Sequence, residues 1–333
     1  MAPSHCDTNN QSNAVPVAMP AAVVRLGKPT PRIGFGTASA TLGQAEGRAG
    51  VTQAVLHALD AGYRHFDTAS SYNTEAAVGD AVAQAVRAGK IASRDDLYIT
   101  TKLWIADAHP GRVLPALQKS LWNLRMEYVD MYLIHFPVSM WPPAVEGAIM
   151  VVKDDLVEMD MKGVWEEMEE CHRRGLARAI GVSNFTCKKL EYLLSFTKIP
   201  PAANQVVNCN PSSFGMSRTV IFLWNVLYCR LSLSPPTYSV THLPSFLFLY
   251  EFFPCCLHFP FAHVLIENEQ VEVHPYCRQN KLRAYCRDKG IQLCAYSPLG
   301  GKGAPWANNS VMDSPILEQI AHEKGKTVAQ VGV

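Results

Sequence analysis

A chain of 333 residues, 48% of them hydrophobic, has enough apolar material for one large core and matches the length that α/β barrels occupy as a single domain. Its 30 basic and 29 acidic side chains nearly cancel, which argues against a nucleic-acid or membrane-surface partner and leaves a small molecule as the expected one. The ten cysteines follow no C-x-x-C spacing, so no disulfide framework is expected, and reduced thiols in a cytoplasmic protein are the simplest reading.

Met1 to Pro20 are polar and lack an apolar core flanked by basic residues. They read as a disordered tail before a domain spanning residues 21–333, not as a signal or transit peptide. From Arg32 onward, short apolar runs alternate with helical patterns, the signature of repeated β-α units and a parallel sheet. The runs are Ile33 to Thr37, His65 to Ala69, Leu97 to Trp104, Val129 to Phe136, Ala179 to Ser183 and Ile291 to Tyr296, and Ala203 to Val206 opens a sixth strand. Val51, Ala54, Val55, Ala58 and Leu59 share one helical face, as do Val113, Leu117, Leu121 and Leu124. Gly62, Gly89 and Gly290 stand where three helices are expected to stop. The count reaches seven β-α units; eight would close a barrel.

The stretch from Val206 to Gln270 breaks this pattern, with almost no charge and an aromatic-rich run at Phe246 to Pro254. Glu251, Pro254 and Pro260 leave no clean span of about twenty apolar residues, so a membrane anchor is not expected.

Four residues carry candidate chemistry. Asp67 and Tyr72 follow the second strand in His65-Phe-Asp-Thr-Ala-Ser-Ser-Tyr72, Lys102 lies near the end of the third, and His135 ends the fourth. In a parallel barrel these positions share the C-terminal rim, where active sites are built. A lysine inside an apolar strand needs a carboxylate, and Asp67 is one strand away. Each residue also has a structural reading: a turn cap for Asp67, surface packing for Tyr72, an ion pair for Lys102, a core histidine for His135. Together they form a proton donor, because a tyrosine of pKa about 10 releases its proton more readily when a cation stabilises the phenolate. Neutral His135 would orient a carbonyl oxygen toward Tyr72. Hydride must come from a cofactor, since no side chain supplies it.

Gly34-Phe-Gly-Thr-Ala38, Asp-Thr-Ala-x-x-Tyr, Thr-Lys-Leu-Trp, Leu-Ile-His, Gly-Val-Ser-Asn-Phe and Ala-Tyr-Ser-Pro-Leu-Gly recur in the order of the aldo-keto reductase family, which the chain resembles over residues 21–205 and 271–333. The wording is most similar to the plant branch with deoxymugineic acid synthase, codeinone reductase and chalcone reductase. The resemblance implies a (β/α)8 TIM barrel that reduces a small aldehyde or ketone with NADPH, as a monomer. It implies Tyr72 as general acid, Asp67 and Lys102 tuning it, and His135 orienting the carbonyl. Thr37, Asp67, Ser183, Asn184, Gln205, Tyr296, Ser297, Leu299 and Gly300 would hold the cofactor. Trp104 and Trp141 would line the substrate pocket with His135; ordinary rim packing is their other reading. No G-x-G-x-x-G follows a strand, so a Rossmann site is not indicated. The rival class is a non-catalytic barrel that binds nicotinamide cofactor as a regulatory or interaction subunit.

Two features depart from the family. Its Asn-Gln-Val-Glu-x-His-Pro phrase reappears here only if Gln205 is joined to Val271, so residues 206–270 read as an in-frame insertion at strand six. Val206 to Pro211 and Val271 to Pro275 then compete to complete that strand, and Gln205 competes with Gln270 for one cofactor contact. The resemblance also implies an eighth strand and a basic segment for the cofactor's 2′-phosphate after the last helix. Without them the barrel is expected to be incomplete, weakly stable and poorly active.

Overall fold

The computed structural model describes residues 21–22, 28–38, 45–141, 155–206, 279–299 and 311–332. The strands are β1 (Ala21–Ala22), β2 (Thr30–Pro31), β3 (Phe35–Gly36), β4 (His65–Asp67), β5 (Tyr98–Leu103), β6 (Val129–Ile134), β7 (Ser139–Met140), β8 (Leu156–Val157), β9 (Ala177–Ser183), β10 (Ala203–Val206) and β11 (Gln292–Ala295). Between them run helices α1 (Ala45–Asp60), α2 (Glu75–Arg87), α3 (Val113–Leu124), α4 (Met161–Arg173), α5 (Cys187–Leu194), α6 (Asn280–Lys289), α7 (Pro315–Lys324) and α8 (Val328–Gly332).

Among the described residues, seven strands form one parallel sheet in the order β11-β10-β9-β6-β5-β4-β3, so the neighbours are consecutive β-α units, as in a (β/α)8 barrel. Among the described residues β3 and β11 each pair on one side only. The sixth strand is Ala203–Val206, in register with β9 on one side and β11 on the other. The tail before residue 21 and both rival completions of strand six beyond Val206 lie outside the described residues, as does Gln270.

A parallel sheet with helices on one face and a packed interior on the other buries its central strands on both faces, and β5 and β6 are buried throughout. Alternation still sorts the side chains. Phe66, Ile99, Leu103, Tyr132, Ile134, Ile180, Val182 and Val206 join the core under the helices. Tyr98, Met131, Leu133, Ala179 and Ala203 form a second cluster inside the sheet's curve, with Cys294 against it. The period of two therefore assigns Asp67, Lys102, His135, Ser183, Gln205 and Tyr296 to that inner side, each at the C-terminal end of its strand.

Helix ends follow the sequence reading: Gly62, Gly89 and Gly290 have φ of 94°, 68° and 69°. Where α2 crosses α3, a Cβ on Gly79 would lie 2.4 Å from the Leu124 carbonyl oxygen, so this contact requires glycine. The α3 N-terminus is capped across the interface by Glu167 of α4, which accepts from the amides of Gly111, Val113 and Leu114. Two antiparallel pairs, β1 with β2 and β7 with β8, were not expected from the sequence. The described cysteines Cys171, Cys187, Cys286 and Cys294 are free thiols.

Candidate active site

The sequence Ser70-Ser71-Tyr72 makes a single 3-10 turn after β4, ended by Asn73 at φ 55°, a conformation that asparagine tolerates well. This turn folds Tyr72 back over the strand ends. Its hydroxyl accepts from Lys102 Nζ at 3.5 Å and lies 3.4 Å from His135 Nε2. The ammonium also donates to Asp67 Oδ1 and, at 3.0 Å, to the Thr68 carbonyl. Three ammonium protons thus meet three acceptors, which is what permits a lysine with 0% exposure. The structure brings all four proposed chemical residues together.

Electrostatics fix their protonation. Burial, and then the Asp67 carboxylate, push the Tyr72 phenol well above its ordinary value, against the opposing hydrogen bond from Tyr296. Lys102 is already shared with Asp67 and Thr68, so the resting phenol keeps its proton. Burial, and then the Lys102 charge, drive His135 well below 6.5. The imidazole is therefore neutral, with Nδ1 3.4 Å from the Ser71 hydroxyl.

Aromatic rings surround this centre. The Tyr72 and Trp104 rings meet His135 edge-on at 5.5 Å and 5.4 Å, and Phe136 stacks on it at 4.8 Å with planes 19° apart. Trp141 does not join them; it is 68% exposed and stacks on His109. Just before it, Ser139 and Met140 form β7, paired antiparallel with β8. Phe136 and Ser71 were missed in the sequence reading, although each adjoins a residue that was chosen.

On the side toward β9 and β10, the Ser183 hydroxyl donates to the Gln205 carbonyl at 2.6 Å, and the Asn184 amide to the His135 carbonyl at 2.9 Å. Gln205 Nε2 donates to Asp67 Oδ2 at 2.7 Å. The Thr37 hydroxyl donates to the Asp67 carbonyl at 3.0 Å and touches Thr74 at 2.9 Å. Because that proton is committed, Thr74 must donate to Thr37, and Thr68 to Thr74 at 2.9 Å, a one-directional hydroxyl chain. Tyr296 follows β11, Ser297 has φ 46°, and Leu299 packs near Gly332 of α8. Gly300 lies outside the described residues.

The model of the aldo/keto reductase family matches residues 32–215, more than half of the chain. The chain belongs to the aldo/keto reductase family. Deoxymugineic acid synthase 1 of Oryza sativa subsp. japonica is 47% identical over 301 residues, 90% of this reductase and 72% of the relative. The (1S)-1,7-diacetoxy-luvungin A aldo-keto reductase of Citrus sinensis is 42% identical over 306 residues, 92% of this chain and 73% of that one. Among solved structures, the Bombyx mori aldo-keto reductase in complex with NADP superposes with a TM-score of 0.65 at 29% identity, covering 95% of this chain and 79% of that chain. Membership carries with it the class of NADP-dependent oxidoreductase.

The reductase's own residues fit a nicotinamide. Gln205 Oε1 is buried without a hydrogen-bond donor among the described residues, and a carboxamide NH2 is a donor of the right kind. No helix among the described residues is long and apolar enough to cross a membrane.

Proposed function

We propose that this chain reduces an aldehyde or ketone to an alcohol with NADPH, as a cytoplasmic monomer, and that Tyr72 is the general acid. The observation that carries the proposal is Lys102 Nζ, wholly buried and shared among Asp67, Thr68 and the Tyr72 hydroxyl, with neutral His135 alongside. Ser183, Asn184, Gln205 and Tyr296 would hold the nicotinamide, Ser297, Leu299 and Gly300 the pyrophosphate, and Thr37 the rim beside them. Bound NADPH supplies hydride to the carbonyl carbon. As negative charge develops on the carbonyl oxygen, Tyr72 gives up its proton, and the nearby ammonium stabilises the phenolate left behind. His135 Nε2, 3.4 Å from the same hydroxyl, orients that oxygen, and the Trp104 and Phe136 rings keep water from it.

The organisation proposed with this function is one barrel over residues 21–333 after a short tail, interrupted by residues 206–270. The three relatives named above are a synthase and two reductases, which favours the enzymatic reading over that of a non-catalytic subunit. The test is carbonyl-dependent loss of NADPH absorbance with the purified chain and its Tyr72→Phe variant. Replacing the acid is expected to lower turnover by about 10²- to 10⁴-fold while NADPH binding is retained. Equal turnover in both proteins would remove Tyr72 from the role.

A further inference from the structure

Asp67 is held from two sides: Oδ1 pairs with Lys102, and Oδ2 accepts from Gln205 Nε2 at 2.7 Å. These donors come from different strands, Lys102 from the neighbouring β5 and Gln205 from the distant β10. Asp67 ends β4 and Gln205 lies on β10, with β9, β6 and β5 between them in the sheet, so this bond crosses the interior. The Gln205 main chain is fixed as well, its carbonyl accepting from the Ser183 hydroxyl at 2.6 Å and the Asn184 amide at 2.9 Å. We infer that Gln205 is a positioning residue for the acid centre, a cross-barrel clamp that sets the Asp67 carboxylate and, through it, the place of Lys102 beside Tyr72.

A carboxylate gripped through one oxygen can turn about its terminal torsion, a broad two-fold rotation. Turning carries Oδ1 away and takes the ammonium with it. Lys102 Nζ has no further N–H to offer, so any shift toward a moved Asp67 lengthens its 3.5 Å approach to the Tyr72 hydroxyl. A second donor on Oδ2 stops that rotation. The clamp also depends on register, because a one-residue slip of β10 would turn Gln205 outward and bring Asn204 to the interior. Asn204 now faces out and donates to the Phe185 carbonyl at 2.9 Å.

The kinetic half of the test rests on the reductase reading; the stability half does not. Gln205→Glu places a second carboxylate within hydrogen-bond reach of Asp67, and two such groups cannot both ionise. The melting-temperature deficit of Q205E against wild type is expected to grow by about 2 °C or more between about pH 5 and pH 7.5. Asp67→Asn in the same chain should flatten that dependence. A deficit independent of pH would overturn the clamp. Gln205→Met should lower the turnover number at saturating NADPH about ten-fold with the carbonyl KM little changed. A weaker affinity for NADPH with an unchanged turnover number would mean that Gln205 serves the cofactor alone. Absence of any carbonyl-dependent NADPH oxidation in wild type would sink the reductase reading, and the melting curves would still decide the clamp.

Discussion

His135 offers a test of the site's electrostatics that needs no substrate. It is buried, and its pKa is driven well below 6.5, first by that burial and then by Lys102, so it is neutral in the folded protein. In the unfolded chain the same imidazole titrates near about 6.5. A folded-state value below the unfolded one means that the stability contribution is fully present above about pH 6.5 and is lost as pH falls toward the folded value. Between about pH 7.5 and pH 5.5, the extra proton taken up by the unfolded chain lowers stability by about 1.4 kcal/mol, or about 3 °C in melting temperature. His135→Gln keeps a polar side chain beside Tyr72 but cannot titrate, so its stability lacks this component. The assay is thermal unfolding of both proteins across that range, read as the difference between them at each pH. Half-buried His65, also lowered mainly by burial, contributes a slope of the same sign, but it is present in both proteins and cancels. A difference that stays constant would show that folded His135 accepts a proton as easily as the unfolded chain does, and the neutral-imidazole account would be wrong.

Two further outcomes test the scaffold. Asp130 is buried at the opposite ends of the strands, accepting from the Ile99 amide at 2.9 Å and pairing with Arg94 at 2.6 Å. Asp130→Ala leaves a guanidinium and an amide without their acceptor, and denaturant unfolding should show a loss of about 3 kcal/mol; a loss below about 1 kcal/mol would mean that the pair contributes little. Gly79→Ala should destabilise by about 1–3 kcal/mol even though alanine is the better helix former, because its methyl would strike the Leu124 carbonyl. A stabilised variant would show that α2 and α3 can move apart freely.

Much of the site was legible because strand ends are local properties. Asp67, Lys102 and His135 each stand at or near the end of an apolar run, so their common rim followed from the sequence, whereas their common inner side did not, because β5 and β6 are buried throughout and their apolar residues do not alternate. Tyr72 was harder, since it sits on a turn; its placement came from the motif spacing and needs the left-handed Asn73 to be realised. The Gln205–Asp67 bond was not legible. It joins residues 138 apart in sequence across the interior, and nothing in either local pattern encodes it. The Trp141 expectation came from the family resemblance and not from any local pattern, and the structure leaves that ring 68% exposed and stacked on His109.

The junction at strand six links the fold to the chemistry. Val206 ends β10, pairs with Ala295 and is fully buried under the helices. Joining Gln205 directly to Val271 would put the same side chain in that position, so the outer core is indifferent to the cut. The block instead leaves the strand at its C-terminal end, one residue after Gln205, on the same rim as Tyr72 and His135. Its effect should therefore fall on the site more than on the core. A variant lacking residues 206–270 is expected to oxidise NADPH with a carbonyl substrate faster than the full chain, through a higher turnover number or tighter cofactor binding. Identical kinetics in the two proteins would show that a chain leaving at this rim leaves Gln205, and through it the acid centre, undisturbed.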